Sequence, residues 1–460
     1  MLRIMIASLL LALGARAAQP LPRLRVSGNG RFLVTAEGKP FFYLADTAWE
    51  LFHRLDRKQA VEYLTVRAAQ KFTAIQAVAL AELDGATVPN AYGALPLTAK
   101  DPARPVAAYW EHVDFIVDQA NQRGLYIAML PAWGRWVNGN GRTGENLLTP
   151  RNAQGYGEFL GRRYGKKGII WILGGDRTPT GYEETWRALA KGIAIGVSGR
   201  EDYSAVLMSF HPRGGETSST WFHNDPWLSF NMHQTGHGLA ATVRSWERIA
   251  RDYEKTPVKP VLDGEPLYED HPLAFRSREN GYSLDAHVRQ RAWWDTFAGA
   301  CGHTYGDHSV WQMYAPGREP VNGPLFYWYE AIHRPGAAQM QYVRALFESR
   351  PYLSRVPDNS LVENALDGAD HIVATRGDGY AFVYSPQGRK FTLKLGAISG
   401  TSVQAWWYNP RTGTSRDAGT FENRGTREFL CPAEGFGADW VLVLDDSARK
   451  FAPPGQSRSW

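Results

Sequence analysis

The chain has 460 residues, of which 44% are hydrophobic and 21% are charged, and its formal net charge is +5. This composition excludes a disordered chain, and the length suits two or three folded domains. Lysine and arginine are scattered without a run of five or more, so we expect a solvated surface and no nucleic-acid partner. The two cysteines, Cys301 and Cys431, fall in different predicted domains, which favours free thiols over a disulfide.

Residues 1–18 predict a secretory signal peptide. Arg3 supplies a positive start, the run from Ile4 to Leu13 is apolar, and Ala15-Arg16-Ala17 fits the small-x-small cleavage pattern. The apolar run is too short to span a bilayer, and no later stretch is apolar enough. We therefore expect an exported protein, periplasmic or extracellular, without a membrane span; its oligomeric state is left open.

Strand-like and helix-like segments alternate through a predicted domain at residues 19–352, after a small hairpin at residues 24–40. Eight such strands predict a (β/α)8 barrel, the TIM-barrel form of the α/β class. An open doubly wound sheet is the alternative, but no glycine-rich phosphate loop follows the first strand. The predicted strands are Phe41–Ala45, Phe72–Leu80, Leu125–Leu130, Ile169–Leu173, Ser204–Ser209, Leu228–Met232, Lys259–Leu262 and Cys301–Tyr305.

After Pro351 the pattern changes to short strand-like runs separated by turn residues. These runs predict a C-terminal antiparallel β-sandwich over residues 353–460. They are Leu361–Ala374, Ala381–Tyr384, Phe391–Leu395, Ser402–Asn409 and Val441–Leu444.

Polar and aromatic side chains follow the predicted barrel strands, where a barrel enzyme builds its active face. Tryptophans there are candidate sugar-stacking surfaces, with packing under loops as the alternative. The histidines lack tight ligand spacing, so we expect hydrogen bonds to sugar hydroxyls and no metal or cofactor. Glu82 also follows a strand but receives no assigned role. The predicted substrate-binding residues are Asp46, Trp49, Trp133, Trp136, Arg177, His211, Asn231, His233, His237, Tyr268, Tyr305, His308 and Trp311.

Asp176 ends the segment that runs from Ile169 through two glycines. A helix N-cap is the structural alternative for this aspartate. Thr180 is closer to the predicted helix Tyr182–Ile195 and is the better cap, so we assign Asp176 a catalytic role.

Glu265 follows the seventh predicted strand and is the second candidate catalytic residue. Asp263 and Glu269 are its rivals, and a structural ion pair with Arg177 is a further alternative. Side chains from the fourth and seventh strands can converge over a barrel mouth, and paired carboxylates are what glycoside hydrolysis requires. A retaining mechanism, with Asp176 as general acid/base and Glu265 as nucleophile, is favoured over an inverting one.

At these residues the chain resembles the apiosidase-like glycoside hydrolases. The resemblance covers roughly residues 25–350 and is carried by residues 31–49, Trp171–Asp176, Asn231–His237, Leu262–Glu269 and Tyr305–Trp311. It implies a barrel and a retaining mechanism, with the acid/base in the Gly-Gly-Asp motif and the nucleophile in the Glu-Pro motif. It also implies the apiose-linked side chain of the pectin rhamnogalacturonan II as substrate.

The C-terminal part is similar to a β-sandwich labelled as collagen-binding that often follows this barrel. Two other classes of function remain open from the sequence. One is a carbohydrate-binding protein on a barrel scaffold without catalysis. The other is an adhesion protein that acts through the sandwich.

Overall fold

The structure is a computed structural model that describes residues 20–139 and 146–456. The predicted signal peptide lies outside the described residues. A small antiparallel sheet comes first and has three strands rather than the two of the predicted hairpin. Its strands are β1 (Leu24–Val26), β2 (Leu33–Thr35) and β3 (Pro40–Phe41).

Eight parallel strands then form the predicted barrel. Six of them are hydrogen-bonded in the order β11-β4-β5-β6-β7-β8, and β9 pairs with β10. The ring is completed where the Ser229 amide donates to the Met208 carbonyl and the Cys301 amide to the Val261 carbonyl, each at 2.8 Å. The strands are β4 (Tyr43–Thr47), β5 (Ala74–Val78), β6 (Tyr126–Leu130), β7 (Ile169–Gly174), β8 (Met208–His211), β9 (Asn231–His233), β10 (Val261–Asp263) and β11 (Gly302–Tyr305).

Helices pack on the outside of the barrel and bury the outward-facing apolar side chains of the strands. The longest helices begin close to their predicted positions. One of them starts at a capping box formed by Asp56 and Gln59. The helices are α1 (Leu51–Arg54), α2 (Arg57–Ala69), α3 (Ala107–Gln122), α4 (Ala153–Tyr164), α5 (Glu183–Ser198), α6 (Ser219–Phe222), α7 (Ala240–Val243), α8 (Ser245–Tyr253), α9 (Ser277–Asn280), α10 (Asp285–Phe297), α11 (Trp328–Ala331) and α12 (Pro335–Glu348).

The prediction that Thr180 caps a helix is wrong. The helix α5 has Tyr182 at its N-cap position, without a side-chain cap. Thr180 instead accepts a hydrogen bond from the indole Nε1 of Trp221 at 3.0 Å. Asp176 therefore lies well before the helix and does not cap it.

The C-terminal residues form the predicted antiparallel sandwich. A six-stranded sheet in the order β12-β13-β14-β19-β16-β17 is faced by the pair β15-β18. The strands are β12 (Val356–Pro357), β13 (Val373–Gly377), β14 (Tyr380–Ser385), β15 (Phe391–Lys394), β16 (Ser402–Tyr408), β17 (Ser415–Glu422), β18 (Thr426–Phe429) and β19 (Trp440–Asp446).

A strand predicted over Leu361–Ala374 is mostly absent. Two short 3-10 turns, Asn359–Leu361 and Gly368–Asp370, occupy this region, and only Val373 and Ala374 lie in β13. Asp367 and Gly368 interrupt the apolar pattern there, because these residue types favour turns over strands.

The barrel and one face of the six-stranded sandwich sheet share an apolar core, whereas the other face of that sheet forms a separate core with β15 and β18. Trp293 of α10 stacks on Tyr384 of β14 with ring centroids 5.7 Å apart, and Phe347 of α12 contacts Phe382 edge-on at 5.7 Å. Both cysteines are free, as predicted. Cys301 is buried in the barrel, whereas Cys431 lies in the sandwich with its Sγ 3.4 Å from a carbonyl oxygen.

Candidate active site

A cleft of about 510 Å³ opens over the carboxyl ends of the barrel strands. Three carboxylates, Glu82, Asp176 and Glu265, lie in its walls. Aromatic side chains supply much of the remaining surface, and they are Trp49, Trp133, Tyr268, His237, His271, Phe275 and Trp311. A cleft with facing carboxylates and aromatic walls suits a sugar, which presents hydroxyl groups at its rim and C–H groups on its faces.

Glu265 is held between two histidines. His211 Nε2 lies 3.1 Å from Glu265 Oε2, and His237 Nε2 lies 3.2 Å from Oε1. The carboxylate is only 6% exposed, and burial alone would raise its pKa, yet the two imidazoles outweigh that effect and hold the pKa below its usual value. Glu265 is therefore an anion in a nearly dry site.

Backbone geometry determines which nitrogen of His211 carries the proton. The amide of Asp176 points at His211 Nδ1 at 3.5 Å, so Nδ1 is the acceptor. In a neutral imidazole the other nitrogen then bears the hydrogen, and this nitrogen, Nε2, lies 3.1 Å from Glu265 Oε2. His211 thus connects the main chain of Asp176 to the carboxylate of Glu265.

The Gly-Gly-Asp turn after β7 brings Asp176 into this position. Gly174, Gly175 and Asp176 all have positive φ angles, of 88°, 128° and 49°. A Cβ at Gly175 would come within 2.6 Å of a Trp133 ring carbon, and one at Gly174 within 2.3 Å of the His211 carbonyl oxygen. Only glycine fits both the dihedral angles and the close approach.

Asp176 has the opposite electrostatic setting from Glu265. Its side chain is 37% exposed and borders the same cleft. Its pKa is raised, first by burial and then by the charge of Glu265, against the lowering effects of His211 and Arg177. Arg177 donates to the Asp176 carbonyl at 2.7 Å, so the suggested pair of Arg177 with Glu265 is not formed. Asp176 is suited to holding a proton at a pH where Glu265 is ionised.

The two rivals of Glu265 are engaged in structural bonds. Asp263 accepts hydrogen bonds from the Thr235 amide at 3.2 Å and from the Glu265 amide at 3.3 Å. Glu269 accepts the Tyr305 hydroxyl at 2.6 Å and the Gly336 amide at 3.3 Å. Both carboxylates are fully buried, and neither lines the cleft. Glu265 is the carboxylate of this segment that faces the space where a substrate would lie.

The predicted aromatic residues divide into two groups. Trp49, Trp133, Tyr268 and Trp311 line the cleft, and the first two also pack around His211 with ring centroids 5.4 and 5.7 Å away. Trp136 lies outside the cleft lining and donates to the Ala81 carbonyl at 2.9 Å. For Trp136 the structural alternative, packing under a loop, fits the observed contact.

Other predicted substrate-binding residues lie beneath or beside the cleft. Asp46 is buried and accepts the Arg67 Nε at 2.6 Å, and Tyr305 is bonded to Glu269. Asn231 bonds to His223 at 3.1 Å, and His308 lies behind Trp311, whose indole donates to it at 3.3 Å.

His233 faces a neighbouring cavity of about 730 Å³. Its Nε2 lies 2.9 Å from Asp252 Oδ2. These placements separate His233 from the cleft that contains Asp176 and Glu265.

Several cleft residues carried no sequence assignment. Gln234 and Thr235 come from the loop after β9, and His271 and Phe275 from the long loop after β10. Phe275 is 61% exposed and lines the cleft. The signal for the first two was their position between His233 and His237, whereas nothing in the local pattern marks Phe275.

Residues 20–139 and 146–456 contain neither a metal-type side-chain cluster nor a helix able to span a membrane. No cluster of histidine, cysteine, aspartate and glutamate side chains there has the arrangement of a metal site. Over the same residues, none of the helices combines the length and apolarity needed to cross a membrane.

Two family models match the chain. The family model described as "Apiosidase-like, catalytic domain" matches residues 27–354, and a model for the collagen-binding domain of a collagenase matches residues 356–445. No curated protein matches the chain.

Two solved structures are similar over nearly the whole chain. One is a glycoside hydrolase family 5 protein from Bacteroides vulgatus ATCC 8482, with 34% identity, 95% of each chain covered and a TM-score of 0.85. The other is described as a glycoside hydrolase, with 35% identity, a TM-score of 0.86, and 94% of this chain and 98% of that one covered. The chain therefore belongs to the apiosidase-like family and is a glycoside hydrolase.

Proposed function

We propose that this protein cleaves a glycosidic bond with retention of configuration, with Glu265 as nucleophile and Asp176 as general acid/base. The observation that carries the proposal is the contrast between the two carboxyl groups of one cleft. Two histidines lower the pKa of Glu265, while burial and the charge of Glu265 raise the pKa of Asp176. A retaining glycosidase needs this division of roles.

In the first step a carboxylate oxygen of Glu265 attacks the anomeric carbon and the glycosidic C–O bond breaks. The departing oxygen takes the proton of Asp176, and the sugar stays bound to Glu265 as an ester. In the second step Asp176 removes a proton from water, whose oxygen attacks the anomeric carbon. Glu265 leaves as a carboxylate and Asp176 is protonated again.

The same charges let Asp176 change roles between the steps. The negative charge of Glu265 is one cause of the raised pKa of Asp176. When Glu265 becomes an uncharged ester, this effect disappears and the pKa of Asp176 falls. The group that held a proton for the leaving oxygen then becomes a base toward water.

For the substrate we propose a plant cell-wall polysaccharide, with the apiose-linked side chain of rhamnogalacturonan II as the best candidate. The match of residues 27–354 to the apiosidase-like family supports this choice. The aromatic walls of the cleft provide surfaces on which sugar faces can pack.

Digestion of a panel of plant and bacterial glycans, with rhamnogalacturonan II included, tests this function. We expect the wild type to release sugar from rhamnogalacturonan II, and Asp176→Asn and Glu265→Gln to lose more than about 1,000-fold in kcat because each removes a reacting group. Activity that survives both substitutions would contradict the mechanism. Binding without hydrolysis of any glycan would favour the non-catalytic carbohydrate-binding alternative.

We also propose that the protein is exported after cleavage of residues 1–18. The support is the sequence pattern of a basic start, a short apolar run and Ala15-Arg16-Ala17. N-terminal sequencing of protein recovered from the periplasm or the medium is the test, and we expect it to begin at Gln19. An unprocessed chain confined to the cytoplasm would contradict export.

A further inference from the structure

Glu82 is a carboxyl group of the cleft that the mechanism above does not use. It follows β5 on a loop whose main chain is anchored from two sides. The amide of Leu83 donates to Glu50 Oε1 at 2.8 Å, and Arg135 Nη1 donates to the Glu82 carbonyl at 2.9 Å. The position of Glu82 is therefore set by bonds that leave its own side chain available.

The side chain of Glu82 lines the same cleft as Asp176 and Glu265. Within the residues that the structure describes, its carboxyl group has no hydrogen-bond or ion-pair partner. Glu82 is partly buried, and a carboxyl group that loses contact with water is ordinarily paired with another group of the protein. An unpaired carboxyl group that faces a binding cleft indicates a partner on the ligand.

The charges around Glu82 determine its protonation state. Burial is the largest effect, and the negative charges of Asp176, Glu50 and Glu265 add to it, while Arg177 opposes them. Together they raise the pKa of Glu82 to about 8. Near neutral pH the group is mostly an uncharged acid, which can donate one hydrogen bond and accept others.

We propose that Glu82 is a substrate-binding residue whose uncharged carboxylic acid donates a hydrogen bond to a hydroxyl group of the sugar that Glu265 attacks. This inference rests on the proposed function. A carboxylate at this position would repel the carboxylate of Glu265, whereas the acid form adds a donor without adding charge. The cleft then holds three carboxyl groups with three duties: Glu265 attacks, Asp176 transfers protons and Glu82 holds the sugar.

The uncharged state of Glu82 can be tested without a substrate. A group whose folded pKa lies above its unfolded value stabilises the fold below the unfolded pKa, and this stability is lost as pH rises toward the folded pKa. For Glu82 that window runs from about pH 4.5 to about pH 8. Glu82→Gln cannot ionise, so its Tm minus that of the wild type should increase through this window. A difference that does not change with pH would overturn the proposal.

Kinetics on rhamnogalacturonan II test the donated hydrogen bond. Glu82→Ala removes the donor and should lower kcat/KM about tenfold or more, whereas Glu82→Gln keeps an N–H donor of similar reach and should lose less than about threefold. Glu422→Gln is the matched control, since it makes the same change at an exposed carboxylate of the sandwich. Its activity should equal that of the wild type.

Equal activity of Glu82→Ala and the wild type would overturn the proposal, as would equal losses in the Ala and Gln variants. These outcomes are distinct from a failure of the proposed function, in which the wild type itself releases no sugar from the polymer. In that case the inference, which rests on the function, fails with it.

Discussion

At the scale of single residues, the chemistry of the cleft depends on what surrounds each carboxyl group. Asp263, Glu265 and Glu269 lie within seven positions of the chain, yet only Glu265 meets two imidazoles and open space. Asp263 supports the Thr235 loop, and Glu269 supports Tyr305. A carboxyl group can therefore be a nucleophile or can hold a loop in place, depending on the residues around it.

His237→Ala tests the electrostatic role of the histidines. Losing the contact at 3.2 Å removes one of the effects that lower the pKa of Glu265. Because a nucleophile acts only when ionised, the acidic limb of the pH profile of kcat/KM should move up by about one unit. Because the pKa of Glu265 is about 2, the additional loss of activity should appear at the most acidic pH that the fold tolerates, and not near neutral pH.

His333→Ala provides the control for this experiment, because His333 is exposed and does not line the cleft. Its profile should match that of the wild type. An acidic limb that stays in place in His237→Ala would show that His237 does not set the ionisation of Glu265.

The sequence indicated where these residues lie along the barrel but not what each one contacts. Asp176, Glu265 and four aromatic residues were found from their place after apolar runs, because chain connectivity alone brings strand ends to one face. The choice between Asp263 and Glu265, or the burial of Asp46 against Arg67, depends on contacts between residues distant in sequence. No local pattern contains that information.

At the scale of elements, the turn after β7 is the feature that fixes Asp176. Gly175 combines a φ of 128° with a contact that leaves no room for a side chain beside Trp133.

The ends of several helices and strands differ by a few residues from the predicted ones. The fifth strand is Met208–His211, so His211 ends the strand rather than following it.

The substitution Gly175→Ala should therefore damage both stability and activity. The strained φ and the 2.6 Å approach to the Trp133 ring predict a loss of about 3 kcal/mol or more in the free energy of unfolding. The kcat should also fall, because relief of the clash moves Asp176. Chemical denaturation and kinetics measure the two effects.

Gly181→Ala is a matched control, because Gly181 also has a positive φ, of 83°, but has open space around a would-be Cβ. We expect it to cost only about 1 kcal/mol, the conformational penalty alone, with normal kcat. Equal effects of the two substitutions would show that packing against Trp133 does not hold the turn.

The periodicity of apolar residues does not locate every helix boundary. The predicted helix Ala240–Tyr253 is divided in the structure, because Arg244 takes a left-handed φ of 46° and separates α7 from α8. The apolar spacing continues across this break, so the sequence reads as one helix. Arg244 makes ion pairs with Glu247 and with Asp367 of the following domain, both of which require the folded molecule.

At the scale of the whole molecule, the barrel and the sandwich are held together by buried charges as well as by aromatic packing. Arg350 makes a two-point contact with Asp445, at 2.8 and 2.6 Å, and both side chains are almost fully buried. Arg289 of α10 bonds to Asp439 at 2.8 Å in the same interface. We infer that the two parts unfold as one unit.

Arg350→Met should lower the free energy of unfolding by about 3–5 kcal/mol, because it leaves Asp445 buried without a partner. The double variant Arg350→Met, Asp445→Leu should recover much of this loss, since both charges are then gone. Chemical denaturation followed by fluorescence gives both values.

Arg376→Met is the control, because the pair of Arg376 with Asp358 is partly exposed and should contribute no more than about 1 kcal/mol. Two separate unfolding transitions in the wild type would contradict a shared core. A small effect of Arg350→Met would contradict the buried pair's role in it.

The overall architecture could be predicted because each domain repeats a simple sequence pattern along the chain. Alternation of apolar strands and amphipathic helices indicated the barrel, and short runs between turns indicated the sandwich. Two sandwich strands, Ser415–Glu422 and Thr426–Phe429, were missed because they are polar and largely exposed. Edge strands of this kind carry little apolar alternation.

The central claim, that Glu265 attacks the sugar while Asp176 transfers protons, has one direct test. Asp176→Ala slows the second step, so an activated aryl glycoside of the sugar that the wild type releases should leave an ester on the enzyme. Mass spectrometry of the digested protein should find the added sugar on the peptide that contains Glu265. No adduct, or an adduct on Asp263, Glu269 or Glu82 instead, would contradict the account.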